Sequence, residues 1–169
     1  MQLSRDHRNV CVLALCQALY YVGQSIMFIL AGLVGADLSE NKALSTLPIT
    51  VIIIATALTT IPASLIMRRI GRKFGFMLGA TIAMIGSCIA SYGIYQSNFW
   101  LFVIGTMTIG VNGGFAQYFR FAAADVAEAD FKSKAISLVI SGGIIAAFIG
   151  PLLVNYTFDI HVVPFFGSF

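Results

Sequence analysis

Gln17, Tyr20, Tyr21 and Gln24 stand at i, i+3, i+4 and i+7 within an otherwise apolar run. On a helix that spacing gathers them into one stripe. Amides and phenols donate and accept hydrogen bonds, so the stripe suits the binding of a solute. A second polar group lies farther along the chain. Asn112 and Gln117 are interleaved with Phe115, Tyr118 and Phe119. The amides fit a ligand's carbonyl or amide groups, and the rings fit a planar face. The chemistry indicated is recognition rather than bond-making. The sequence contains no HExxH, GxSxG or Walker loop and no cluster of metal ligands. The reading is therefore of a non-enzyme with no cofactor.

These polar groups sit in a chain that is 59% hydrophobic and 10% charged, with a mean hydropathy of +0.91. A soluble domain carries about 25% charged residues, so the membrane class follows and the lipid bilayer is the first partner. In lipid a polar side chain is costly unless it faces the bundle or a water-filled cavity. The two polar groups must therefore face inward. A net charge of +3, gathered in short turns, gives no nucleic-acid-binding face. Cys11, Cys16 and Cys88 fall in apolar runs with no CxxC spacing and read as small hydrophobes.

A crossing needs roughly 20 apolar residues, and five spans can be drawn: 10–34, 47–67, 74–95, 99–119 and 135–156. Residues 160–169 look like the start of a sixth. The first run is too long for a signal-peptide core and reads as a retained helix. The expected fold class is all-α, a polytopic membrane helical bundle forming a single transmembrane domain over 1–169. The connections are an outer turn at 35–45, a basic turn of about six residues at 68–73, a tight outer turn Gln96-Ser97-Asn98, and a mixed-charge loop running from Arg120 to Lys134. Nine of the ten Lys and Arg residues fall on the side of the N-terminus, and Lys42 alone falls opposite. The positive-inside rule then makes the N-terminus cytoplasmic, in a cell membrane, with a bacterial inner membrane the natural setting. Small residues recur every fourth position in the third span (Gly75, Gly79, Ala83, Ser87, Ser91) and in the fifth (Gly142, Ala146, Gly150), where helices can pack closely. Thr56, Thr59 and Thr60 in the second span are expected to bond back to their own helix.

The basic turn Arg68-Arg69-Ile70-Gly71-Arg72-Lys73 resembles the loop between helices two and three of the major facilitator superfamily, Gly-x-Leu-Ala-Asp-Arg-x-Gly-Arg-Lys. Arg69, Gly71, Arg72 and Lys73 match; Ser64 replaces the first glycine and Arg68 the acid. Gly150-Pro151 resembles the Gly-Pro of that superfamily's pattern Gly-x-x-x-Gly-Pro-x-x-Gly-Gly, with Ala146, Val154 and Asn155 departing from it. The stretch from Phe115 to Val126 resembles a bacterial subgroup of the superfamily that includes a riboflavin importer.

The resemblance implies a secondary transporter that moves a small-molecule solute by alternating access between two six-helix halves. The chain would be the N-terminal half, with five helices and the start of a sixth. Its partner would be the missing C-terminal half or a second half-transporter chain. Helix one borders the central cavity in the family, so Gln17, Tyr20, Tyr21, Gln24, Asn112 and Gln117 become candidate cavity residues. Arg68, Arg69, Gly71, Arg72, Lys73, Arg120, Asp125, Gly150 and Pro151 become candidate gating or switch residues. With Arg68 in the acid's place, a reversed pairing is expected, Arg68 with Asp125, Glu128 or Asp130. No Asp, Glu, Lys or His falls mid-span, so ion coupling through this half is not indicated. A second reading is a truncated or half-size, non-transporting membrane protein that binds a partner through its small-residue faces.

Overall fold

In a computed structural model the described residues are 2–39, 41–127 and 131–157, with side chains described for 8–39, 41–127, 131–144 and Ile149. They are almost wholly helical, in the order α1 (Gln2–Leu38), a short 3-10 turn (Lys42–Leu44), α2 (Leu47–Ile70), α3 (Arg72–Tyr95), α4 (Phe99–Ala116), α5 (Phe119–Val126) and α6 (Lys132–Thr157). Four stretches among them are long and apolar enough to cross a membrane: Arg8–Leu38, Lys42–Ile70, Arg72–Tyr95 and Phe99–Val126. With α6, whose 26 residues reach about 39 Å at 1.5 Å per residue, this is an all-α, multi-pass membrane bundle. The drawn start of a sixth span, 160–169, lies outside the described residues.

The outer surface is apolar, as lipid requires: Leu58, Ile61, Met84 and Leu19 are all exposed. The interior is built from small residues. α4 runs through the middle, packed along α2 and α3, while α1 packs along α6. If α1–α3 form one triplet and α4 opens the next, the first helix of each triplet packs on the second helix of the other. A two-fold axis in the membrane plane produces that exchange.

Glycine lets α4 meet its neighbours backbone to backbone. A Cβ on Gly105 would lie 2.5 Å from Ala90 N, one on Gly110 2.7 Å from Ile52 O, and one on Gly114 2.8 Å from the Thr59 carbonyl carbon. From α3, Gly86 and Gly93 face the α4 backbone in the same way, while Gly79 faces the side chains of Asn112 and Phe115. The expected fourfold ridge on α3 is therefore only partly right. Gly75 and Gly79 are buried, but the seam continues through Gly86, Ala90 and Gly93. That sevenfold spacing is the one helices use when crossing at a shallow angle. These faces are occupied inside the chain, so they are not free for the partner that the second reading requires.

Three connections differ from expectation. The basic turn is a single residue. Gly71 at φ +87° ends α2 and starts α3, its N–H bonding Met67 O at 2.9 Å. Only glycine takes that backbone without strain. Arg68 and Arg69 thus belong to the last turn of α2, where cations favour the helix dipole, and Arg72 and Lys73 to the first turn of α3. The fourth span is broken at Gln117–Tyr118, just after Gly113-Gly114 weaken the helix. Finally, Arg120 and Asp125 lie on α5 and Lys132 and Lys134 on α6, rather than in an open loop. Glu128 and Asp130 lie outside the described residues. The outer turn at Gln96–Asn98 is as short as expected, and Asn98 caps α4 by accepting from Leu101 N at 3.1 Å.

Candidate functional site

The break between α4 and α5 opens a cavity of about 580 Å³ bounded by α1, α2 and the α4–α5 junction. From α1 it receives Tyr20, Tyr21, Gln24 and Phe28. From α2 it receives Ile52, Ile53, Thr56, Ala57 and Thr60, and from the junction Gln117, Tyr118, Arg120 and Phe121. Irregular backbone inside a membrane is tolerated where it lines a cavity, and the break supplies the last four of these residues.

Hydrogen bonds fix the α2–α4 wall. Thr56 Oγ1 donates to Gly110 O at 2.8 Å, Thr60 Oγ1 to Thr56 O at 2.8 Å and the Tyr118 hydroxyl to Thr60 O at 2.9 Å. Thr60 therefore bonds back to its own helix as expected, but Thr56 does not. The close approach at Gly110 and Gly113 brings an α4 carbonyl within its reach. Each of these three donors is used, so the wall offers a solute mainly the acceptor lone pairs of its hydroxyls. Gln24 makes no hydrogen bond among the described residues and remains available in both senses. The Tyr20 and Tyr21 rings lie 5.5 Å apart, centroid to centroid, at 59°. Arg120 lies with its guanidinium carbon 5.2 Å from the Phe121 centroid and with Nη2 3.4 Å from Gln117 Oε1.

The candidate residues from the sequence separate into three groups. Tyr20, Tyr21, Gln24 and Gln117 come together on this cavity, and so does Arg120, which was grouped with the switch. Gln17 and Asn112 do not reach it. Gln17 is 6% exposed and its Oε1 is buried without a partner among the described residues. Asn112 looks away from α2 because Gly110, Gly113 and Gly114 take that side. Its Oδ1 lies against Gly79 of α3, and it lines an 850 Å³ groove between α1 and α3 with Leu19, Tyr20, Phe76 and Met77, and a smaller pocket of about 300 Å³ with Tyr20 and Gln24. Tyr118, one of the rings expected to meet a planar face, lines the cavity, and Thr56, Thr60, Phe28 and Phe121 line it without having been singled out for that role. The signal for the threonines was the i, i+4 pairing of Thr56 with Thr60.

Arg68, Arg69, Gly71, Arg72, Lys73 and Asp125 of the switch candidates lie at one end of the bundle, opposite the Gln96–Asn98 turn. Arg72 Nη2 forms an ion pair and hydrogen bond with Asp125 Oδ2, tying the start of α3 to α5. The expected partner, Arg68, does not take this acid. It sits exposed on the far side of the Gly71 reversal, which turns Arg72 toward α5 instead. Phe76 stacks on Phe119 with centroids 4.3 Å apart and reinforces the same junction. Arg69 and Lys73 are exposed. Gly150 and Pro151 fall within α6, but their side-chain surroundings lie outside the described residues.

Among the described side chains no acid, base or nucleophile enters the cavity, and no group of His, Cys, Asp and Glu is placed to hold a metal. The arrangement can enclose a flat molecule and hydrogen-bond its edges. Comparison with known proteins supplies a context for that geometry. The chain is 43% identical to the riboflavin transporter RfnT of Brucella anthropi over 163 residues, 96% of this chain and 41% of that protein. It thus spans about two fifths of the length of the curated relative it matches. No solved structure matches it. The sequence fits the pattern of one family over residues 13–166, nearly its whole length, and the chain belongs to the Major Facilitator Superfamily.

Proposed function

We propose that this chain provides one half of the path of a membrane carrier that moves a small planar solute of the riboflavin type by alternating access. The observation that carries the reading is the cavity itself. Tyrosines and phenylalanines offer faces for an aromatic ring, and Gln24 and Gln117 offer amides for its carbonyl and imide edges. The riboflavin transporter named above is the relative that supports the solute class. A second half, in the same gene product or in another chain, would close the cavity's remaining side. The bias of Lys and Arg supports a cytoplasmic N-terminus, so the end holding Arg72 and Asp125 would face the cytoplasm of a bacterial inner membrane. There the Arg72–Asp125 contact would hold α3 and α5 together in one state of the cycle and part in the other.

The test is growth of a bacterium that neither makes nor imports riboflavin, expressing the full gene product. Rescue at low external riboflavin is expected. Gln24→Ala and Gln117→Ala should each raise the riboflavin needed by roughly 2- to 10-fold, the worth of one neutral hydrogen bond. Failure to rescue with the protein present in the membrane would sink the solute assignment. Rescue indifferent to both substitutions would sink the cavity assignment.

A further inference from the structure

Among the described residues that line the cavity, Arg120 is the only charged one. Two carboxylates have described side chains. Asp125 pairs with Arg72, and Asp37 sits near the far end of α1, so neither neutralises Arg120. The guanidinium's interactions are weak. One is a 3.4 Å hydrogen bond to Gln117 Oε1, at the long limit for such a bond, and the other is the face of Phe121 at 5.2 Å. Of five N–H donors in a fixed fork, one is engaged, and loosely. The Phe121 ring holds the fork beside Gln117, at the same junction as Tyr118. Among the described residues no carboxylate stands beside this guanidinium, and a fork next to aromatic faces matches an aromatic solute that also carries an oxyanion, since it meets phosphate or carboxylate bidentately.

We infer that Arg120 makes the junction end of the cavity an oxyanion subsite, so that the protein takes aromatic solutes bearing a phosphate or carboxylate in preference to their neutral forms. The inference rests on the planar-solute reading above. It adds a charge preference that neither the amides nor the tyrosines supply.

Flavin fluorescence, quenched on binding, tests it with the full gene product purified in detergent. The probes are riboflavin and riboflavin 5′-phosphate, which differ in the anion alone. The phosphate ester should bind more tightly to the unaltered protein. Arg120→Gln should reduce the ratio of the two affinities roughly tenfold, the difference expected for losing a charge-assisted bidentate contact. Arg120→Lys, which keeps the charge and loses the fork, should fall between them. A ratio unchanged within twofold in Arg120→Gln, with both flavins still bound, overturns the subsite and leaves the planar-solute reading standing. If the unaltered protein binds neither flavin, both are overturned.

Discussion

Along α4, glycines sit tightly where backbone meets backbone; along the described contact of α1 with α6, Gly142 meets the Ala14 carbonyl less closely and Gly143 meets the Tyr21 ring. Gly105, Gly110 and Gly114 touch main-chain atoms of α3 and α2, and Thr56 and Tyr118 add hydrogen bonds from side chain to carbonyl across the α2–α4 seam. On the other side, Val10 packs with Ala123, Ala127, Ala135 and Val139, and Gly143 lies under the Tyr21 ring. Gln17 is buried on α1 with its carbonyl unpaired among the described residues. A backbone seam has one register, because main chain cannot turn aside. Where α1 meets its neighbours through longer side chains, as Tyr21 does over Gly143, the contact can repack by changing rotamers. The two walls of the cavity are thus unequal: α2, braced on α4, forms the more fixed side, and α1 brings Tyr20, Tyr21 and Gln24 from a more adjustable one. In the carrier proposed above, binding and release of a solute would use both properties at one site.

The sharpest test of that inequality is an alanine series read by thermal unfolding in detergent. Gly105→Ala places a methyl 2.5 Å from Ala90 N and 2.7 Å from its Cα, so the helices must separate. We expect a loss of about 1–3 kcal/mol or failure to accumulate in the membrane, the range for overpacking. Gly142→Ala meets Ala14 O at 3.0 Å and Ala18 Cβ at 3.4 Å, which a small shift relieves, so its loss should be markedly smaller. Gly23→Ala meets nothing within 4 Å and should stabilise by up to about 1 kcal/mol through helix propensity. Equal losses at Gly105 and Gly142 would break the comparison.

Gln17→Leu sharpens it from the adjustable side. Removing an unpartnered buried carbonyl while keeping the volume should raise stability by about 1 kcal/mol. A lowered melting temperature would mean that this carbonyl has a partner essential to the fold and that the α1 seam is as exacting as the α4 seams. Thr56→Val addresses the fixed wall and should cost less than Gly105→Ala. One interhelical hydrogen bond in a membrane is worth about 0.6 kcal/mol. A loss above that of Gly105→Ala would show that hydrogen bonding, rather than close backbone approach, holds α2 to α4.

The sequence made the helices and their packing residues legible because lipid leaves few alternatives. An apolar run of span length must be a helix, and its polar side chains must face inward. The stripe of α1 was readable for that reason, and Tyr20, Tyr21 and Gln24 do reach one cavity. Gln17 shares the stripe's spacing but not its destination. Four residues in i, i+3, i+4, i+7 array cover two turns, and a neighbouring helix can take one end while a cavity takes the other. The side on which Asn112 lies was not legible for a related reason. Composition says that a mid-span amide faces protein, but which neighbour it faces depends on the side taken by Gly110, Gly113 and Gly114. The break at Gln117–Tyr118 had no proline to announce it. It follows from two glycines, a tyrosine held to Thr60 O and the stack of Phe76 on Phe119, which are tertiary facts. The acid's partner turned on a single dihedral, since Gly71 at φ +87° decides which arginine of the turn looks toward α5.

That last point gives the smallest of the expected effects and the most specific. Arg72 and Asp125 are 38% and 62% exposed, so their pairing should contribute only about 0–1 kcal/mol and weaken with salt. Stability alone would scarcely register Asp125→Asn. A double-mutant cycle isolates the pair from its surroundings. Arg72→Asp and Asp125→Arg should each reduce uptake, and the double swap should recover part of it. Arg68→Asp combined with Asp125→Arg should recover none, because Arg68 has no contact with that acid to exchange. Recovery in the Arg68 swap and not in the Arg72 swap would mean that the acid changes partners during the cycle. The junction of α3 with α5 would then belong to the adjustable part of the molecule rather than to the fixed wall beside it.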